Sequence, residues 1–209
     1  MKNKKINPLF NSKTDIYCFS NNINEFKQLV KGGAGVIQLR DKKMDDNSFK
    51  SIACEMLSII KNTNTKLIIN DRVDIAISVN AHGVHIGKDD ENLENVLQKI
   101  PDNMIAGISV DTLQEAVNAE KQGADYIGAG AVFKSKTKPD AFYMGINTLK
   151  EIIKYVKIPV VAIGGINIKN IMQVKNAGAK YFAIISDINK SNNIKSRLNQ
   201  FFNIIGKES

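Results

Sequence analysis

Four times this chain closes a helical stretch on a small-residue turn that runs straight into a β-branched strand: KGGAGVIQL, VNAHGVHIG, KQGADYIGA and NAGAKYFAI. Glycine just past a helix supplies the left-handed backbone that ends it. Strand-like runs recur throughout, at IYCFS (16–20), GVIQLR (35–40), KLIIN (66–70), GVHIG (83–87), MIAGIS (104–109), YIGAG (126–130), PVVAIG (159–164) and YFAIIS (181–186). Between them apolar residues fall at helical spacing. Thr112 followed by Glu115 is a capping-box pair opening a helix with Leu113, Ala116, Val117 and Glu120 on one face. Leu93, Val96, Leu97 and Ile100 share a face that Pro101 closes. Eight strands alternating with helices predict an α/β fold, a (β/α)8 TIM barrel, as a single domain. An open doubly wound sheet is the competitor, but it often carries G-x-G-x-x-G after its first strand, and no glycine follows IYCFS until Gly32. At 209 residues this is a compact barrel, since about 250 is usual. Residues 1–13 read as an N-terminal extension and 203–209 as a C-terminal tail.

Charge narrows the ligand class. Lys and Arg number 29 against 21 Asp and Glu, a net charge of +8. That balance suits an anionic partner, whether nucleic acid, a membrane face or a phosphorylated small molecule. The lysines are dispersed, Trp is absent, and no nucleic-acid-binding module is recognisable, so a solvated surface outranks nucleic acid. No apolar run approaches the roughly 18 residues a membrane helix needs. The opening MKNKKINPLF is basic but leads into no apolar stretch, so no secretory signal is read there and a cytoplasmic location is expected. Cys18 and Cys54 form no metal or redox spacing and are expected as reduced core residues.

In a barrel of this kind the chemistry gathers where strands end. Strand two ends in Gln38-Leu39-Arg40-Asp41-Lys42, with Gln38, Arg40 and Lys42 at alternate positions on one face. Two cations beside an amide form a grip for phosphate or pyrophosphate; a salt bridge with Asp41 is the structural alternative. Strand three ends in Asn70-Asp71 and strand four in Gly87-Lys88-Asp89-Asp90. These acids could simply cap the following helices. Their pairing on neighbouring strands instead suits Mg²⁺, which takes one or two protein carboxylates and lets phosphates and water complete its octahedron. His85 is expected as a packed strand residue and His82 as exposed, neither as a general base. Strand five ends at Ser109, and strand six leads to Gly130 and the loop Lys134-Ser135-Lys136-Thr137-Lys138-Pro139-Asp140, whose hydroxyls and cations can wrap an oxyanion. Gly164-Gly165 after strand seven and Ile185-Ser186 after strand eight occupy the recurrent phosphate position of the fold. The residues alone thus describe a barrel enzyme handling two phosphorylated groups. It has no nucleophile or close acid/base pair, so its chemistry must suit positioning and electrostatics.

Taken in order, GVIQLRDK, IINDRVDIA, GVHIGKDD, ADYIGAGAVFKSKTK, IPVVAIGGI and FAIIS resemble the thiamine-phosphate synthase family, from about Thr14 to Ser186. The resemblance implies a transferase of thiamine biosynthesis that joins a hydroxymethylpyrimidine diphosphate to thiazole phosphate and releases pyrophosphate through a pyrimidine carbocation. It implies that the pyrimidine diphosphate meets Gln38, Leu39, Arg40, Asp41, Lys42, Asn70, Ser109 and Lys138, with Arg40, Lys42, Ser109 and Lys138 as the catalytic set. Mg²⁺ would be the cofactor, on Asp71 and Asp90. The thiazole phosphate would meet Ser135, Lys136, Thr137, Gly165, Ile185 and Ser186. The implied partners are small phosphorylated substrates, not nucleic acid or membrane, and a homo-oligomer stays open.

This chain departs from the family pattern at Lys88, where Gln is usual, at Ser135, where Thr is usual, and at Asp111, where His is frequent. The alternative within the resemblance is the thiazole tautomerase, which typically loses the acidic pair after strand four and relies on a histidine after strand five. Asp90 is kept here and Asp111 stands at the histidine position, which favours the synthase. A non-enzymatic basic barrel that binds phosphate or nucleic acid is the distant alternative.

Overall fold

The computed structural model describes residues 9–13, 15–88, 90–134 and 143–206. Eight parallel strands close into one barrel in sequence order, with β1 pairing both β2 and β8. The strands are β1 (Asp15–Ser20), β2 (Val36–Leu39), β3 (Lys66–Asn70), β4 (Gly83–Ile86), β5 (Ile105–Val110), β6 (Tyr126–Ala129), β7 (Val160–Ile163) and β8 (Tyr181–Ala183). The helices are α1 (Ile23–Lys31), α2 (Asp46–Ile60), α3 (Val73–Ser78), α4 (Leu93–Lys99), α5 (Leu113–Gln122), α6 (Gly145–Tyr155), α7 (Ile171–Asn176), α8 (Ser186–Asn189) and α9 (Ile194–Ile205). All eight expected strands are present. β7 and β8 stop short of Gly164 and Ser186, β7 because Gly164 and Gly165 take φ of 101° and 66°, which turns the chain out of the sheet.

The helices form where capping and apolar spacing agree. Asn22 accepts from the amides of Asn24 and Glu25 to open α1, and the Thr112/Glu115 capping box opens α5 as expected. α2 buries Phe49, Ala53, Met56 and Ile60 along one stripe. These faces join the outward side chains of the strands, such as Ile37, Leu39, Leu67 and Ile69, in a shell of core between helices and barrel. A separate, smaller cluster fills the barrel itself, with Tyr17, Val36, Ile68, Ile105, Tyr126 and Val161 pointing inward. Each such large side chain removed from water contributes about 1.5–3 kcal/mol.

Both terminal segments take part in this packing. Leu9 and Phe10, within the expected extension, are buried against the barrel interior, and Phe10 stacks on Tyr181 with ring centroids 3.8 Å apart. The tail expected over 203–209 is helical as far as Ile205, whose side chain is buried, because it completes the apolar stripe of α9 with Leu198 and Phe201. Cys18 is buried and Cys54 is exposed on α2, so the second is not the core residue expected; neither is in a disulfide. No helix among the described residues is long and apolar enough to cross a membrane.

Candidate active site

The carboxyl ends of β2, β3 and β4 bring the acidic pair together. Asn70 is buried at the end of β3 and pairs in register with His85 of β4. Asp71 follows in the left-handed region at φ 60°, an uncommon conformation for a residue with a side chain. Its amide donates to the His85 carbonyl at 2.9 Å, and its carboxyl meets that of Asp90 within hydrogen-bonding distance. Asp90 is steadied from behind, accepting from the Gly87 amide at 2.7 Å. Neither acid caps a helix: α3 begins after Arg72 with no side-chain cap, and α4 is capped by Asn92. Burial raises the Asp71 carboxyl above its ordinary range, and the neighbouring Asp90 adds to the rise. Burial alone would raise Asp90 too, but the hydrogen bond with Asp71 and the Gly87 amide hold it below the carboxylate norm. The two neighbouring carboxyls are thus pushed apart in acidity, Asp71 up and Asp90 down.

The phosphate grip lies alongside. Lys42 Nζ stands 3.4 Å from Asp71 Oδ2, largely in solvent. Arg40 is half-buried at the barrel mouth and makes no ion pair among the described residues. The salt bridge from this pair to Asp41 does not form. Asp41 instead accepts from Asn21 Nδ2 at 2.8 Å and from the amides of Lys43 and Met44, which shape the loop after β2 and hold its carboxyl below the ordinary range. Leu39 turns its side chain into the outer core, so only its peptide faces a ligand. Gln38 is buried inside the barrel, its Nε2 donating to the Tyr17 hydroxyl at 2.9 Å.

Arg72 was not singled out by the sequence, though it stands beside Asp71 in the NDR motif. Its guanidinium pairs with Asp46 at 2.8 Å, donates to the carbonyls of Asp41 and Met44, and lies over the Phe49 ring at 4.3 Å. It thereby ties the loop carrying Lys42 to the strand end carrying Asp71.

On the other side of the mouth, Ser109 at the end of β5 meets His85 Nε2 at 3.0 Å. His82 is not exposed: it is partly buried and its Nδ1 accepts from the Leu67 amide at 3.2 Å. The Gly164-Gly165 turn packs so closely that a Cβ on Gly165 would lie 2.8 Å from Phe133 Cβ and 3.0 Å from the Lys134 carbonyl. The Gly165 carbonyl accepts from Asn167 Nδ2 and Asn170 Nδ2, at 3.1 and 2.9 Å. Ile185 is exposed just before Ser186 opens α8. Ser135, Lys136, Thr137 and Lys138 lie outside the described residues.

Two departures from the family pattern prove to be one interaction. Lys88 Nζ binds Asp111 Oδ2 at 2.6 Å and Glu115 Oε1 at 2.7 Å, which raises the Lys88 ammonium against the cost of its partial burial. Asp111 is thus committed to a cation and is no free proton shuttle. No cluster of three or more metal-ligating side chains occurs among the described residues. Asp71 and Asp90 are hard oxygen donors brought within reach of each other, and two carboxylates are a donor set suited to Mg²⁺.

The family model for thiamine monophosphate synthase matches residues 11–188. The chain is 42% identical over 178 residues to thiamine-phosphate synthase from Ruminiclostridium cellulolyticum, with 85% of each chain covered. It is 40% identical over 183 residues to the thiamine-phosphate synthase from Pyrococcus abyssi, with 88% of each covered. Among solved structures, thiamine phosphate pyrophosphorylase from Pyrococcus furiosus superposes with a TM-score of 0.87 at 34% identity, covering 93% of this chain and 96% of that one.

Proposed function

The chain belongs to the thiamine monophosphate synthase family, and from that premise we propose that it is a thiamine-phosphate synthase, a transferase that couples a hydroxymethylpyrimidine diphosphate to thiazole phosphate. The observation that carries the reading is the convergence of Asp71 and Asp90 beside Lys42 and Arg40 at one side of the barrel mouth. A diphosphate leaving group needs that combination of positive charge and metal-binding carboxylate.

The bond between the pyrimidine methylene carbon and the diphosphate oxygen breaks, and its electron pair leaves with the diphosphate. The thiazole nitrogen then donates its lone pair to the methylene cation, forming the C–N bond of thiamine phosphate. No proton moves at the reacting atoms, so the coupling calls for no general base. Arg40 and Lys42 take up the growing charge on the diphosphate, with Lys138 assigned the same role by family resemblance. Asp71 and Asp90 would hold Mg²⁺, which supplies Lewis-acid neutralisation of diphosphate oxygens. Gln38, Asn70 and Ser109 border the pyrimidine end, while the Gly165 turn with Ile185 and Ser186 borders the thiazole phosphate. Closing these groups away from water strengthens each interaction.

The tautomerase reading would require an acid/base group near the thiazole. Its expected position is Asp111, which is bound to Lys88. The test follows pyrimidine–thiazole coupling and thiazole isomerisation side by side in the wild type, Arg40→Ala and Asp111→Asn. Arg40→Ala is expected to abolish coupling and Asp111→Asn to lower it only a few-fold. Isomerisation without coupling, or the opposite ranking, overturns the assignment.

A further inference from the structure

A file of polar side chains crosses the otherwise apolar interior of the barrel. Gln38 Nε2 donates to the Tyr17 hydroxyl at 2.9 Å, Tyr17 and Tyr126 share a hydrogen bond of 2.9 Å, Tyr126 meets His85 Nδ1 at 2.9 Å, and His85 Nε2 meets Ser109 Oγ at 3.0 Å. Five residues from β2, β1, β6, β4 and β5 thus form one continuous chain. They stand among Val36, Ile68, Ile105 and Val161, where polar groups are costly unless every one is satisfied.

The backbone is shaped around this file. Gly107 of β5 leaves space for the Tyr126 ring, since a Cβ there would fall 2.1 Å from ring atoms. Gly128 of β6 faces His85, where a Cβ would come within 3.2 Å of Cε1.

We infer that Gln38, Tyr17, Tyr126 and His85 form a one-way hydrogen-bond chain that presents the Ser109 hydroxyl as a proton donor to an acceptor atom of the pyrimidine diphosphate. This makes Tyr126 and His85 positioning residues for the coupling reaction and rests on the function proposed above. The direction is part of the inference. An amide nitrogen only donates, so the Tyr17 oxygen accepts from Gln38; of the two phenols, either of which could donate to the other, the inferred arrangement has Tyr17 give its proton to Tyr126. Tyr126 then has its proton for His85 Nδ1, which must be bare. The neutral imidazole carries its hydrogen on Nε2 and gives it to Ser109. Ser109 is left with a proton that has no acceptor among the described residues. Burial pushes both phenols above their ordinary range, so each keeps the proton that the file needs.

The experiment reads the His85 tautomer by ¹⁵N NMR in wild type and Tyr126→Phe, and measures kcat and KM for coupling in both. In wild type the Nε2-protonated tautomer is expected; the Nδ1-protonated form makes His85 donate to Tyr126 and accept from Ser109, which overturns the inference. Tyr126→Phe keeps the ring and removes one link. It is expected to mix the tautomers and lower kcat about tenfold, the worth of one misdirected hydrogen bond, with KM for thiazole phosphate unchanged. An unchanged kcat, or a fall in kcat with the tautomer still fixed, counts against a positioning role. Should wild type fail to couple the substrates, the proposed function falls, while the tautomer still decides the direction of the links at His85.

Discussion

At the scale of single residues, Asp71 carries the most information. It takes a left-handed backbone at a strand end, with its carboxyl against Asp90. Strain of that kind persists where surrounding structure enforces it, and it gathers at functional sites. Asparagine tolerates the same backbone and keeps the shape while removing the charge. Asp71→Asn and Asp90→Asn are therefore expected to fold normally and, on the proposed metal role, to lose roughly a hundredfold to a thousandfold in kcat, because each would remove a charged ligand of Mg²⁺. Calorimetry should show weakened Mg²⁺ binding in both. In wild type, burial and Asp90 raise the Asp71 carboxyl, so protonation competes with Mg²⁺ there and affinity is expected to fall as pH drops through the carboxylate range. Either variant binding Mg²⁺ and turning over like wild type excludes the metal role. Both acids and both cations were legible in the sequence, because they sit directly after strands. The Lys88–Asp111 pair was not: each residue alone looks like a loss, and only folding brings βα loops four and five together to show the compensation.

At the scale of elements, the turn after β7 carries the proposed thiazole-phosphate side. Gly165 needs both its positive φ and the close approach of Phe133 and Lys134, the residues just before Ser135 in the chain. Gly165→Ala is expected to destabilise the fold by about 1–2 kcal/mol, read by urea unfolding, and to raise KM for thiazole phosphate more than KM for the pyrimidine diphosphate. An unchanged KM for thiazole phosphate separates this turn from the site. Strand positions were legible because β-branched runs follow small-residue turns at regular intervals. The strand ends were not, since the glycine torsions that bend the chain out of β7 have no signature beyond the glycines themselves. The file from Gln38 to Ser109 was hidden for a different reason. Its members are spread over five strands, and only barrel closure makes Tyr17 and Tyr126 neighbours, so His85 read as a packing residue.

At the scale of the whole molecule, the barrel divides its work between two cores. The outer shell holds helices to strands, and the inner cluster with Leu9 and Phe10 closes the end of the barrel beneath the polar file. The strand mouths are left to present charge. The net charge of +8 is dispersed over the chain, but Arg40 and Lys42 follow β2 at the barrel mouth, with Lys42 beside Asp71, where the proposed diphosphate would bind. The most direct test mixes wild-type protein with the pyrimidine diphosphate, thiazole phosphate and Mg²⁺, then quantifies products by mass spectrometry and released pyrophosphate. Thiamine phosphate and pyrophosphate are expected in equal amounts, with neither formed when any one component is left out. Isomerised thiazole phosphate with no coupled product, or no product from the complete mixture, would contradict the assignment.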